Sequence, residues 1–265
     1  MPLEQIVVLA IVQGITEFLP ISSSGHLILI PVLTGWPDQG MVTDVMVHVG
    51  SLFAVLVYFW RDVISIAGGV ADLVRARWSA RARLAFYIIA ATIPAVLMGL
   101  ALKWFGLIDK LRGIEVVGWN ALIFGVVLLI ADKVGPRVKK MEDMTFHPAM
   151  IIGLAQALAL VPGTSRSGIT MSAARFLGFE RGEAARFSFL LGIPAIAGAG
   201  VLEYLEIRSS GNALPPGAVT AAVFTFFSAL AAIAFLMALV KRMSFTPFVL
   251  YRIFLAGFLL VLAYY

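Results

Sequence analysis

The sequence predicts an all-α polytopic membrane protein: a single membrane domain over 1–265, built from six transmembrane helices and two re-entrant helix hairpins in an inverted-topology internal repeat. Three observations predict it. The chain is 61% hydrophobic and 13% charged with mean hydropathy +0.97, so lipid rather than water is its main solvent. Its apolar residues gather into runs long enough to cross a bilayer, which takes about 20 residues per helix. Two further apolar regions are interrupted by Pro, Gly and Ser at matching places.

Six runs qualify as spans: Thr43 to Trp60, Leu84 to Leu102, Ile114 to Ala131, Phe187 to Leu202, Gly217 to Val240 and Phe248 to Tyr265. The interrupted regions are Leu3 to Leu33 and Pro148 to Leu177. Their breaks read Pro20-Ile21-Ser22-Ser23-Ser24-Gly25 and Pro162-Gly163-Thr164-Ser165-Arg166-Ser167-Gly168. Each half is about half a membrane thick, which predicts helix hairpins. Irregular backbone is tolerable at that depth only when buried in protein or lining a wet cavity.

Basic residues predict the orientation. With Arg61 to Arg83, Lys133 to Lys140, Arg175 to Arg186 and Lys241-Arg242 in the cytoplasm, that side holds 14 of the 20 Lys and Arg. Both termini then lie outside, the first hairpin enters from outside and the second from the cytoplasm. The net charge of +5 is accounted for by these loops and by lipid headgroups, and no nucleic-acid partner is expected. With no cysteine in the chain, disulfides and thiolate chemistry are excluded. No basic stretch, short apolar run and small-residue cleavage site opens the sequence, so no removable leader is expected.

A shift of 143 positions superposes Gln13 on Gln156, Ser22 on Ser165, Ser24 on Ser167 and Gly25 on Gly168. Repeat 1 covers about 1–140 and repeat 2 about 141–265. Three spans follow each motif, and because three is odd the second half is inverted. Paired broken helices of this kind put a binding site near the midplane, where the loops meet.

The loop residues carry chemistry. Gln13 and Glu17 project from one face of a half-helix, and a carboxylate at membrane depth points to function. Ser22, Ser23 and Ser24 supply hydroxyls beyond what one helix cap needs, and a helix N-terminus there suits phosphate. His26 can move a proton near neutral pH, whether to activate a serine, protonate a leaving group or accept a phosphoryl group. Arg166 needs a partner at that depth, either Glu17 or a substrate anion, and its planar fork fits phosphate. Gly163, Thr164, Ser165 and Ser167 complete the expected anion cradle. By contrast, Asp44 and His48 read as an interfacial pair, and the glycines from Gly192 to Gly200 as close helix packing.

Gln13-Gly14-Ile15-Thr16-Glu17-Phe18-Leu19-Pro20, the following Ile21-Ser22-Ser23-Ser24-Gly25-His26, and Pro162-Gly163-Thr164-Ser165-Arg166-Ser167-Gly168 together resemble the undecaprenyl-diphosphate phosphatase family, also called bacitracin-resistance proteins. The resemblance implies hydrolysis of undecaprenyl diphosphate to the monophosphate and inorganic phosphate at the outer face of the bacterial inner membrane. That reaction recycles the carrier for peptidoglycan synthesis. It also implies that Glu17 is the essential carboxylate, Ser23 the candidate serine, His26 the histidine and Arg166 the phosphate-binding arginine. A divalent cation, Mg²⁺ or Ca²⁺, is implied, with Glu17 as its ligand. Many members carry Glu where this chain has Gln13, which puts a two-carboxylate metal site in doubt. The expected reaction has Ser23, relayed by His26, attacking the terminal phosphorus. An inverted-repeat lipid flippase or secondary transporter is the alternative. Membrane lipids are expected partners, and a homodimer is left open.

Overall fold

The structure is a computed structural model, and it describes residues 1–107, 109–210 and 214–265. Among the described residues the chain is helical, with one isolated bridge between Lys139 and Phe179 and no strand. Among the described residues, five helices are long and apolar enough to cross a membrane, and a bent pair supplies a sixth candidate.

The first interrupted region forms two short helices, α1 (Leu3–Phe18) and α2 (Ser23–Thr34). Leu19 is extended because the Pro20 ring excludes the helical region for the residue before it. α2 ends on Gly35 in the left-handed conformation, whose N–H reaches the Pro31 carbonyl at 2.9 Å. α3 (Gly40–Tyr58) then turns by 91° into α4 (Trp60–Val74). The basic residues predict a cytoplasmic loop over 61–83. The structure makes most of it helix, because Trp60, Ile64, Val70 and Val74 offer apolar groups at helical spacing among charged neighbours.

α4 is fastened to α5 (Ala80–Trp104) through Asp72. Its carboxylate accepts Arg81 Nε at 2.6 Å, Arg81 Nη2 at 2.9 Å and Ser79 Oγ at 2.6 Å, while Ser79 also caps the helix through the Ala82 N–H. α6 (Ile114–Val134) follows. The second interrupted region is again two short helices, α7 (Phe146–Leu158) and α8 (Arg166–Phe176). Three long helices close the chain: α9 (Arg181–Ser210), α10 (Ala218–Leu239) and α11 (Thr246–Tyr264).

α3 packs on α10 and α9, α1 on α10, α5 on α7, and α6 on both α8 and α11. Lipid offers no hydrophobic drive between such helices, so close backbone approach through small residues takes its place. A Cβ on Gly50 would come within 2.2 Å of the Ala222 carbonyl oxygen, and one on Gly153 equally close to that of Ala91. Large apolar side chains such as Leu97, Phe227, Leu250 and Phe254 cover the outside.

At the end away from the chain breaks lies a buried charge cluster. Asp132 accepts Arg181 at 2.6 and 2.8 Å and the Phe245 N–H at 3.0 Å. Arg175, with no exposed surface, reaches Asp132 and donates to the carbonyls of Gly135, Pro136 and Phe179. Every donor on the Arg175 fork is thereby answered, which such a buried cation requires. The cluster joins the ends of α6 and α8 to the starts of α9 and α11.

Candidate active site

The two breaks have the same local geometry. Ser22 has φ 76° and ψ 92°, and Ser165 has φ 69° and ψ 112°. Left-handed backbone at a non-glycine residue costs on the order of 1–3 kcal/mol and persists only where surrounding contacts impose it. Arg252, fully buried on α11, imposes it here. Its guanidinium donates to Pro20 O at 3.4 Å in the first break, and to Gly163 O at 2.9 Å and Thr164 O at 3.0 Å in the second. Ser167 Oγ adds a donor to Leu19 O at 3.1 Å. Carbonyls that the breaks remove from helix bonding are thus satisfied by one cation and one hydroxyl.

This clamp brings the loop tips together. Glu17, 6% exposed, accepts Arg166 Nη2 at 3.0 Å on one oxygen. Its other oxygen accepts Ser23 Oγ at 2.7 Å and Gln13 Nε2 at 3.1 Å, and lies 3.4 Å from His48 Nε2. His48 donates Nδ1–H to the Asp44 carbonyl at 2.6 Å. A ring whose Nδ1–H is given to a carbonyl meets a carboxylate favourably through Nε2 only when that nitrogen also carries a proton. Arg166 occupies the first position of α8, where the helix dipole disfavours a cation. Its second nitrogen donates to Ser188 O at 3.0 Å.

Gly192 makes that placement possible, since a Cβ there would come within 2.4 Å of Arg166 Nη1. The glycine read from sequence as general packing is therefore the floor under the guanidinium. Gly192→Ala is expected to displace Arg166 from Glu17 and to lower kcat at least tenfold while the thermal midpoint falls by only a few degrees. Kinetics beside a melt in detergent check this, and parallel losses in both would contradict it.

Ser22, Ser23, Ser24, Asp44, His48, Ser165 and Arg166 line a cavity of about 310 Å³ beside Glu17, with Val45, Ala195 and Ile196 as apolar parts of its wall. The two helix starts at this cavity differ. Ser165 Oγ accepts the Gly168 N–H at 3.1 Å and so caps α8, whereas Ser22 makes no side-chain cap on α2. The first N–H groups of α2 therefore remain beside the cavity, an arrangement suited to phosphate oxygens.

Other residues expected at the site stand elsewhere. His26 donates Nδ1–H to Ser22 O at 2.7 Å and accepts the Tyr251 hydroxyl on Nε2 at 2.6 Å, with its ring stacked on Tyr251. Its ring nitrogens are bonded to Ser22 and Tyr251 rather than to Ser23 or Glu17, so a relay from His26 to Ser23 is not formed in this arrangement. Gly163 and Thr164 present carbonyls to Arg252, and the Thr164 hydroxyl is buried without a partner. Ser167 is occupied with Leu19, and Gln13 lies beneath Glu17 with its Oε1 unpartnered. His48, Gly192, Ser188, Tyr251 and Arg252 were not expected here.

A divalent cation on Glu17 does not fit this arrangement. Both carboxylate oxygens are taken up by donors, and two of those belong to cationic side chains. Among the described residues, no three His, Asp or Glu side chains converge to hold an ion.

The fold and cavity together define a polytopic membrane protein with a polar cavity where two interrupted helical segments meet. A particular family follows from comparison with known proteins. The family described as Bacitracin resistance protein BacA matches residues 6–258, and the chain belongs to it. Among its relatives, the undecaprenyl-diphosphatase of Ruegeria pomeroyi is 50% identical and that of Jannaschia sp. 51% identical, each over the full length of both chains. The undecaprenyl-diphosphatase of Erythrobacter litoralis is 49% identical over 94% of this chain and 95% of its own.

Proposed function

We infer that the chain is an undecaprenyl-diphosphate phosphatase, which converts undecaprenyl diphosphate to undecaprenyl phosphate and inorganic phosphate and so recycles the lipid carrier of cell-envelope synthesis. The observation that carries this reading is the convergence of Ser23, Glu17 and Arg166 from two distant chain breaks on one cavity. The relatives' name supplies the substrate.

In the proposed reaction the terminal phosphate lies against Arg166 and the first N–H groups of α2. Ser23 Oγ attacks its phosphorus and passes its proton to Glu17, already 2.7 Å away. The bond from phosphorus to the bridging oxygen breaks, and the electron pair leaves with the polyprenyl monophosphate, which takes up the proton held by Glu17 and frees the carboxylate. Water, deprotonated by the freed carboxylate, then attacks the serine-bound phosphoryl group, and Glu17 gives that proton to Ser23 Oγ as the bond from serine to phosphorus breaks and inorganic phosphate is released. Phosphoryl transfer asks chiefly for such positioning and charge neutralisation. Glu17 stands in the place that sequence reasoning gave to His26. The fit of the carboxylate to its protein donors gives no reason to route a step through a metal.

The spans and hairpins are proposed to form the inverted repeat, with the cavity open to the outer side of the bacterial inner membrane. The matching left-handed serines and the 3.3 Å hydroxyl pairs in both breaks support the repeat. The distribution of Lys and Arg supports the orientation. Because the chain has no cysteine, single cysteines report topology directly. Trp78→Cys is expected to react with an impermeant maleimide only after permeabilisation, and Lys110→Cys without it; the reverse pattern would overturn the orientation. Phosphate release from polyprenyl diphosphate by purified protein in detergent, with no gradient, tests the activity. Binding without release would favour a transporter, for which paired helix breaks are also suited.

A further inference from the structure

We propose that Arg112 binds the ester-linked phosphate of the substrate, at the mouth of an apolar groove that takes the first isoprenoid units. The proposal rests on the phosphatase reading above and deepens it. A second cavity of about 210 Å³ adjoins the reactive one, sharing Ser24, Asp44 and His48 with it. Beyond that shared wall it is lined by Leu27, Ile28, Leu111 and Leu160, with Arg112 as its one further charged residue. A polar chamber that opens into a small apolar groove matches a molecule whose phosphates end in a hydrocarbon chain.

The charge pattern shows what Arg112 adds. Without it, the polar wall carries two carboxylates, Glu17 and Asp44, against two cationic groups, Arg166 and His48. A diphosphate would enter a chamber with no surplus of positive charge. Arg166 is also committed on both terminal nitrogens, to Glu17 and to the Ser188 carbonyl. Arg112, by contrast, is held among the described residues only by Asp44 across 3.7 Å, and its side chain is about one-third exposed. A partly exposed pair at that distance is worth little, so the guanidinium can exchange Asp44 for phosphate oxygens and gain bidentate charge-assisted bonds. Asp44 keeps the Gln39 amide at 2.7 Å after the exchange. In the reaction, negative charge develops on the departing monophosphate, and Arg112 sits on the side where that group and its tail lie.

The two products separate the roles. Polyprenyl monophosphate competes for the groove and the ester-phosphate position, whereas inorganic phosphate competes for the position at Arg166 and Ser23. In Arg112→Gln, the KM for polyprenyl diphosphate and the inhibition constant of polyprenyl monophosphate are expected to rise about tenfold, with the inhibition constant of inorganic phosphate within about twofold of the parent. Arg112→Lys should recover part of the loss. Unchanged constants, or equal rises for both products, would overturn the proposal, the second pattern marking a general disturbance of the site. Should the parent protein release no phosphate at all, the reaction reading fails instead. Direct binding of polyprenyl monophosphate to parent and Arg112→Gln then still decides the groove, and equal affinities would overturn it.

Discussion

Glu17→Gln is expected to lower the rate of phosphate release by about 10²–10⁴-fold, the range for loss of a positioned general base. The substitution keeps the shape of the side chain, and its single amide oxygen can accept from Arg166 or from Ser23, which donate to different oxygens of the carboxylate. It cannot take the Ser23 proton. It also leaves Arg166 and His48 facing a neutral amide, so the cavity becomes more positive and KM is expected to fall or stay constant while kcat collapses. A carboxylate that served only as a structural partner for Arg166 would give another pattern. Stability and KM would then suffer, and kcat would stay within a few fold. Steady-state kinetics in detergent beside a thermal melt separate the two.

Arg166→Ala should cost about 10³–10⁵-fold in kcat/KM, as expected when a guanidinium stabilising a phosphoryl-transfer transition state is removed. Glu17 then remains buried without its arginine partner, and breaking a buried pair typically costs about 3–5 kcal/mol, so some loss of stability accompanies the loss of rate. Arg166→Lys is the sharper variant. It keeps the charge but gives up the planar fork that spans Glu17 Oε1 and the Ser188 carbonyl. Recovery of stability without recovery of rate is the expected result, and recovery of both would show that charge alone suffices.

Much of this was legible in the chain. Long apolar runs specify helices in lipid whatever their neighbours, so α5, α6, α10 and α11 lie within a few residues of their expected bounds. The broken segments declared themselves through residues that helices in lipid avoid, and Arg166 at a helix start violates local preference for a cation. Such violations mark functional sites because something other than local stability keeps them. Partners supplied by distant helices were not legible. His48 looked like a companion of Asp44 one turn away. Only the packing of α3 against α1 turns its ring to Glu17. His26, adjacent to the serines in sequence, is carried by the turn of α2 toward Tyr251 on α11. Arg252 sat in an apolar run with nothing local to show that its donors reach five carbonyls across three elements. α4 was hidden because its charges read as a cytoplasmic loop, although its apolar groups fall at helical spacing.

The most direct measurement is the turnover of polyprenyl diphosphate by Ser23→Ala in detergent, under conditions where the parent protein completes many cycles. Loss of the hydroxyl that touches Glu17 is expected to abolish release to within the background of Arg166→Ala, with the protein still folded and still binding the lipid. Release by folded Ser23→Ala at a rate within a few fold of the parent would contradict the chemistry assigned to this cavity.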